Sequence, residues 1–315
     1  MNRWRGGGEY AALAGIWLGL VLLFGVVSDN FLSPGTFTTL AGRIPALAVV
    51  AAGMTLVLVI GGIDLSVGSV LGLAGAVLGV ALADGHWPLW AAALACLGTG
   101  ALAGVVNGAL SVRLGIPSFI VTLGMLEAAR GGAYLVTGSR TKYLGPVVEP
   151  LARPLPGLAL PASFVVALAV VAAAQLVLSR TVFGRHLVAI GTNENAVRLA
   201  GIDPRPAKTV VFVLAGAMAG LGALFHTARL GSSDPNAGAG MELAAIAAVV
   251  IGGTSLMGGR GSVVNSLLGV LIIATLEAGL AQVGASEPLK RVVTGAVIVA
   301  AVTADAWRKR ARTPA

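Results

Sequence analysis

The chain has 315 residues, of which 57% are apolar and only 11% charged, with a mean hydropathy of +0.91 and a formal net charge of +8. A soluble domain carries about a quarter charged residues, so this chain cannot cover its outside with polar groups and takes lipid as solvent for most of its surface. That excludes a water-soluble globular domain and predicts an all-α, polytopic membrane protein. Glycine at 45 positions agrees, because membrane helices use small residues where backbones approach closely. The lone Cys96 has no intrachain disulfide partner and reads as a small core residue.

A span takes roughly twenty apolar residues. Arg3 and Arg5 precede the first run, which has span length and leads into others, so it does not read as a cleavable leader. Spans are predicted near 10–27, 44–61, 65–83, 89–110 and 116–136. A polar, proline-rich stretch runs from Thr137 to Pro161, and further spans follow near 162–178, 209–228, 243–257, 262–282 and 291–305. Ten spans put both termini on one side. With the N-terminus inside, thirteen Lys and Arg fall on inner segments and seven on outer ones, with Arg130 left within a span. That bias places both termini, including the basic tail 306–315, in the cytoplasm. Topology thus explains the positive charge, and nucleic acid is not a required partner.

The run 44–83 is forty residues long, enough for two spans, and an even division puts the break at Gly61, Gly62 and Asp64. Gly61 and Gly62 end the preceding helix, and Asp64 caps a helix beginning near Leu65, at the inner boundary. If the third span is instead a half-helix, the same break lies at mid-membrane and lines a pathway. The segment "VIGGIDLSVGS" at 59–69 returns as "VIGGTSLMGGRGS" at 250–262, where Gly252 and Gly253 take the place of Gly61 and Gly62. The span count gives the two copies the same orientation and suggests an internal repeat.

The loop 179–208 reads as one short helix between two turns. Thr192 or Asn193 caps it, Glu194 complements the dipole and pairs with Arg198 at i,i+4, and Gly201 suits a left-handed C-terminal position. Ala196, Leu199 and Ala200 form a small apolar face. Elsewhere Gly68, Gly72, Gly75 and Gly79, then Gly100, Gly104 and Gly108, then Gly216 and Gly220, form ridges for close helix packing. Polar groups inside spans are costly and therefore informative. Asn107, Glu127, Arg130, Gln175, Asn265 and Glu277 are the notable ones; Glu127 and Arg130 either pair within their helix or reach a neighbour.

Several chemistries find no support. Neither glycine cluster has the lysine of a phosphate-binding P-loop, and "GAGMELAA" breaks G-x-G-x-x-G at its last position. No H-E-x-x-H or paired cysteine occurs, and His86, His186 and His226 are scattered. No catalytic or metal site is expected.

The segments "GMTLVLVIGGIDLSVGSVLGLAGA", "GIPSFIVTLGML…RG", "AIGTNENAVRLAGI" and "ELAAIAAVVIGGTSLMGGRGSV" together resemble the permease subunits of ABC importers for monosaccharides, nearly end to end. The resemblance implies a single permease domain, 1–315, in the bacterial inner membrane. It implies a cytoplasmic ATPase subunit carrying ATP and Mg, an extracytoplasmic sugar-binding protein, a second permease copy and no cofactor on this chain. Asn193, Glu194, Asn195, Arg198 and Gly201 then form the coupling helix. Asp64, Ser66, Asn107, Glu127, Arg130 and Glu242 become candidates for the pathway or gate. Two departures stand out: "NAVRLAG" matches the E-A-A-x-x-x-G loop of other importers only loosely, and Ala244 replaces an acid that the family commonly carries. Branched-chain amino-acid or nucleoside permeases of the same superfamily, or an ion-coupled secondary transporter, are the alternatives.

Overall fold

Each of the ten predicted apolar runs contains a helix, and the helices end where glycine, proline or a polar cluster interrupts the run. The computed structural model describes residues 5–310. Its helices are α1 (Arg5–Val27), α2 (Pro34–Val59), α3 (Val67–Ala83), α4 (Leu89–Arg113), α5 (Ser118–Thr137), α6 (Ala162–Arg180), α7 (Val182–Thr192), α8 (Glu194–Leu199), α9 (Arg205–Leu230), α10 (Met241–Ile251), α11 (Val263–Gln282) and α12 (Glu287–Arg310). Seven of them, α1, α2, α4, α5, α6, α9 and α11, are long and apolar enough to cross a membrane. Three of the ten predicted spans are not among the seven: α3 and α10 are apolar but only 17 and 11 residues long, and α12 is long but not apolar enough.

Other boundaries shift for local reasons. The second helix begins at Pro34, ten residues before the predicted start, because Ser33 accepts the Thr36 N–H and Pro34 suits the first helical position. Pro45 stays inside α2, as membrane helices tolerate. The proline-rich stretch holds β1 (Lys142–Tyr143), β2 (Pro154–Leu155), β3 (Leu158–Pro161) and two 3-10 turns. The β2 and β3 strands pair as a hairpin, while β1 pairs antiparallel with β4 (Ser232–Ser233), just after α9. The basic tail falls partly within α12, and 311–315 lie outside the described residues.

Helix α2 is the axis of the core, with an almost continuous buried run from Ala48 to Val59. The helix packs against α9, α11, α6 and α10. The tightest pair is α4 with α9, and its cause is the predicted glycine ridges. A Cβ on Gly100 would strike the Gly216 carbonyl, and one on Gly220 would lie 2.7 Å from the Cys96 carbonyl. By contrast α1 is largely exposed along its length, held to α11 by the Trp17 indole N–H on Thr275 Oγ1 at 3.0 Å.

Candidate functional site

Two features set this molecule apart from a plain helical bundle: both V-I-G-G breaks lie at the end occupied by α7 and α8, and a non-helical segment runs along α3 from the opposite end.

At the first break Gly61 adopts φ +76°, the left-handed turn expected there, whereas Gly62 does not. Asp64 is 2% exposed. It does not cap the helix as expected: Ser66 occupies that position, with no side-chain cap, and α3 starts at Val67. Asp64 Oδ1 instead accepts the Ser66 N–H at 2.8 Å and the Ser66 hydroxyl at 2.6 Å, an Asx turn that satisfies both donors. Asn107 of α4 donates to Ser66 Oγ at 2.9 Å, so Asp64, Ser66 and Asn107 form one buried chain. The loop backbone is held by α5, where Ser118 accepts the Ile63 N–H and Thr122 the Leu65 N–H, both at 3.0 Å. The break therefore lies level with the first turn of α5. The α5 hydroxyls were invisible in the sequence, since their partners are loop amides more than fifty residues away.

The second break is stitched to the first. The Gly259 N–H donates to the Val59 carbonyl at 2.9 Å, and Gly258 abuts the Gly61 nitrogen. Gly253 is left-handed (φ +82°), and Gly252 packs on the backbone of Asn265 in α11. Gln175 of α6 caps α11, accepting from Val263 N–H at 2.8 Å. The two repeat copies thus face the same end, side by side.

Beneath both breaks lies the loop 179–208, as two helices rather than one. The first, α7, presses Gly191 against the Val59 carbonyl and the Gly259 nitrogen, where no Cβ fits. Asn193 caps α8 through the Ala196 N–H at 3.0 Å, and Gly201 is left-handed at φ +81°. Glu194 pairs with Arg198 at 2.6 Å and with Lys208 of α9 at 2.9 Å, a second partner that the i,i+4 rule does not reach. Burial alone lifts the Glu194 carboxyl, but the hydrogen bonds and charges of Lys208 and Arg198 outweigh it and hold the group below the usual glutamate range. Val197 is the buried residue of α8, while Asn195, Ala196 and Ala200 are exposed and Leu199 is 90% exposed. The small apolar face points outward.

At the other side of the molecule the ridge Gly68, Gly72, Gly75 and Gly79 receives the segment 231–240 instead of a helix. Ser233 Oγ donates to the Gly75 carbonyl at 2.7 Å, a Cβ on Gly72 would lie 2.8 Å from the Ala237 carbonyl, and Gly68 abuts Gly238 and the Glu242 carboxylate. From Gly79 back to Gly68 is eleven helical steps, about 16 Å. Irregular backbone at such depth exists only where protein buries it or water lines it. Arg130 of α5 holds the segment by donating to the Pro235 carbonyl at 3.2 Å and the Ala237 carbonyl at 3.0 Å. Arg130 thus reaches a neighbour and makes no ion pair with Glu127, which lies exposed on α5. Tyr134 hydrogen-bonds Asn236, and Glu242 accepts the Gly240 N–H at 3.2 Å while its other oxygen is buried and unpartnered. Glu127, Arg130, Tyr134, Asn236 and Glu242 form one polar wall. Asp64, Ser66 and Asn107 belong to the separate cluster at the break. Tyr134 and Asn236 escaped the sequence reading because nothing local ties α5 to a loop a hundred residues on.

Residues 36–302 match the family model described as "Branched-chain amino acid transport system / permease component". The chain belongs to that permease family. It is a transport subunit, and its apolar helices make it a multi-pass protein of the inner membrane. This permease is 37% identical over 297 residues to the ribose import permease protein of Escherichia coli K12, covering 91% of this chain and 90% of that one. To the fructose import permease protein of Rhizobium meliloti the permease is 32% identical, covering 92% and 83%. A D-allose transport system permease protein of E. coli K12 is 33% identical, covering 91% and 88%.

Proposed function

We propose that the permease is the membrane subunit of an ATP-driven importer of a monosaccharide. It works as two copies with a cytoplasmic ATPase subunit, on which ATP and Mg are handled, and an extracytoplasmic sugar-binding protein. The supporting observation is the position of α7 and α8, an exposed, doubly capped bracket seated directly under both V-I-G-G breaks. A push on Leu199 and its neighbours passes through Gly191 to Val59 and Gly259 without a flexible linker. Closely packed small residues let the spans above rock as bodies. The side bearing α7, α8, the start of α1 and the end of α12 is the cytoplasmic one, in keeping with the basic bias.

The polar wall of Glu127, Arg130, Tyr134, Asn236 and Glu242 suits a neutral, hydroxyl-rich solute. A charge exposed midway along a span avoids lipid, so Glu127 faces an aqueous route that a second copy closes. Scattered donors and acceptors offer weak contacts, and weak contacts release what they pass.

The relatives named for ribose, fructose and allose favour a sugar, whereas the family description names branched-chain amino acids, and one experiment separates them. Proteoliposomes with the ATPase and binding protein are supplied with labelled ribose, fructose, allose or leucine. Saturable, ATP-dependent uptake of one sugar is expected. Uptake of leucine with no sugar transported would replace the reading.

A further inference from the structure

Between α2, α9, α10, α11 and α12 lies a cavity of about 540 Å³ that uses no residue of the polar wall. Four helices line it with the same gradient. Arg43 precedes Leu47 on α2, Arg229 follows His226 on α9, Glu277 follows Ala274 on α11, and Lys290 and Arg291 precede Thr294 on α12. In each, the charged group sits one turn nearer the end opposite α7 and α8. The cavity has a charged mouth and a mainly apolar floor, completed by Leu243 and Ala244 of α10.

The mouth is unbalanced. Lys290 pairs with Glu287 at 2.7 Å, but among the described residues Arg43, Arg229 and Arg291 make no ion pair. Glu277 is the one acid left against three guanidinium groups. Arg229 runs along Gly42, next to Arg43, and the two charges repel. Like charges held together in a low-dielectric wall are costly unless an anion joins them. The planar fork of arginine matches the oxygens of a phosphate. The N-terminal end of α10, whose Met241 and Gly240 line the floor, adds a further partial positive charge.

We propose that this cavity binds a phosphate-bearing anion, with the phosphate between Arg43, Arg229 and Arg291 and an apolar portion along Leu47, Leu243 and Ala274. A phospholipid headgroup and a soluble phosphate ester share that chemistry, and the apolar floor favours the lipid.

The test uses the full-length chain purified in neutral detergent, titrated with dihexanoyl phosphatidylglycerol, dihexanoyl phosphatidylcholine, inorganic phosphate or ribose. Thermal melting and direct binding are read together. Phosphatidylglycerol is expected to raise the Tm, and each of Arg43→Gln and Arg229→Gln to raise its Kd about tenfold, the cost of one charge-assisted hydrogen bond. Arg291→Gln, at an exposed position on the rim, weakens binding without threatening the fold. Arg153→Gln, in the distant proline-rich stretch, leaves it unchanged. Inorganic phosphate binding with the same arginine dependence would support the site and assign it to a soluble ester. Absence of any anion effect, an equal weakening of binding in Arg153→Gln, or a ribose-induced shift lost in Arg43→Gln would overturn it. So would a loss of binding-protein affinity in Arg291→Gln without anion binding.

Discussion

The two V-I-G-G breaks begin alike and are held in different ways. The first is a buried knot: Asp64 ties down Ser66, Asn107 reaches in from α4, and two α5 hydroxyls take the loop amides. The second spans eleven residues, folds on itself through the Ser255 N–H to the Arg260 carbonyl at 3.0 Å, and leaves Met257 exposed. It leans on its twin through Gly259 and Val59. One break is anchored by its neighbours, and the other leans on it, with Gly191 of α7 packed against both. A force arriving from α8 therefore reaches both breaks at once, through Gly191.

Substitutions that crowd the joint should break this contrast most severely. A Cβ on Gly191 overlaps a backbone carbonyl that cannot step aside, so Gly191→Ala is expected to cost more than the ~1–3 kcal/mol of ordinary overpacking and to leave little folded protein in gel filtration. Next, Asp64→Ala strands two buried donors at about 1–3 kcal/mol each, while Asp64→Asn keeps an acceptor. Thermal melting should therefore rank wild type, then Asn, then Ala. Equal values for the two variants would show that the Asx turn does not anchor the break.

Gly68→Ala drives a methyl into the Glu242 carboxylate and the Gly238 carbonyl and should lower the Tm by a smaller amount. Combined with Glu242→Ala only part of the loss should return, because the Gly238 carbonyl still blocks the methyl, and a double-mutant cycle reads that coupling directly. The smallest effect belongs to Glu194. Its folded carboxyl lies below its unfolded value, so the stabilisation is complete above the ordinary glutamate pKa and fades as pH falls through the depressed one. After screening, Glu194→Gln should cost at most about 1 kcal/mol near neutral pH and nothing in strong acid, as melting at both values would show.

The short, strongly patterned elements were the legible ones. Asn193, Glu194, Arg198 and Gly201 signal their helix through local spacing alone, and the α4 and α9 glycines signal a close crossing through their i,i+4 repeats. Asp64 misled because an acid before a helix looks the same whether it caps or turns, and the difference is set two residues later by Ser66. The α3 glycine ridge misled for a related reason, since it receives the turn-rich segment 231–240 and not a helix. That partner lies more than 150 residues away, and sequence spacing alone shows a ridge without its partner.

The account stands on α8 being the place where ATP hydrolysis meets transport. The most direct measurement is sugar imported per ATP hydrolysed in proteoliposomes, compared between the wild type and Gly201→Val. Valine strains the left-handed turn while leaving the spans intact. The account predicts retained membrane insertion and ATP hydrolysis with a sharp fall in sugar per ATP. An unchanged ratio, or wild-type uptake that persists without ATP, would contradict it.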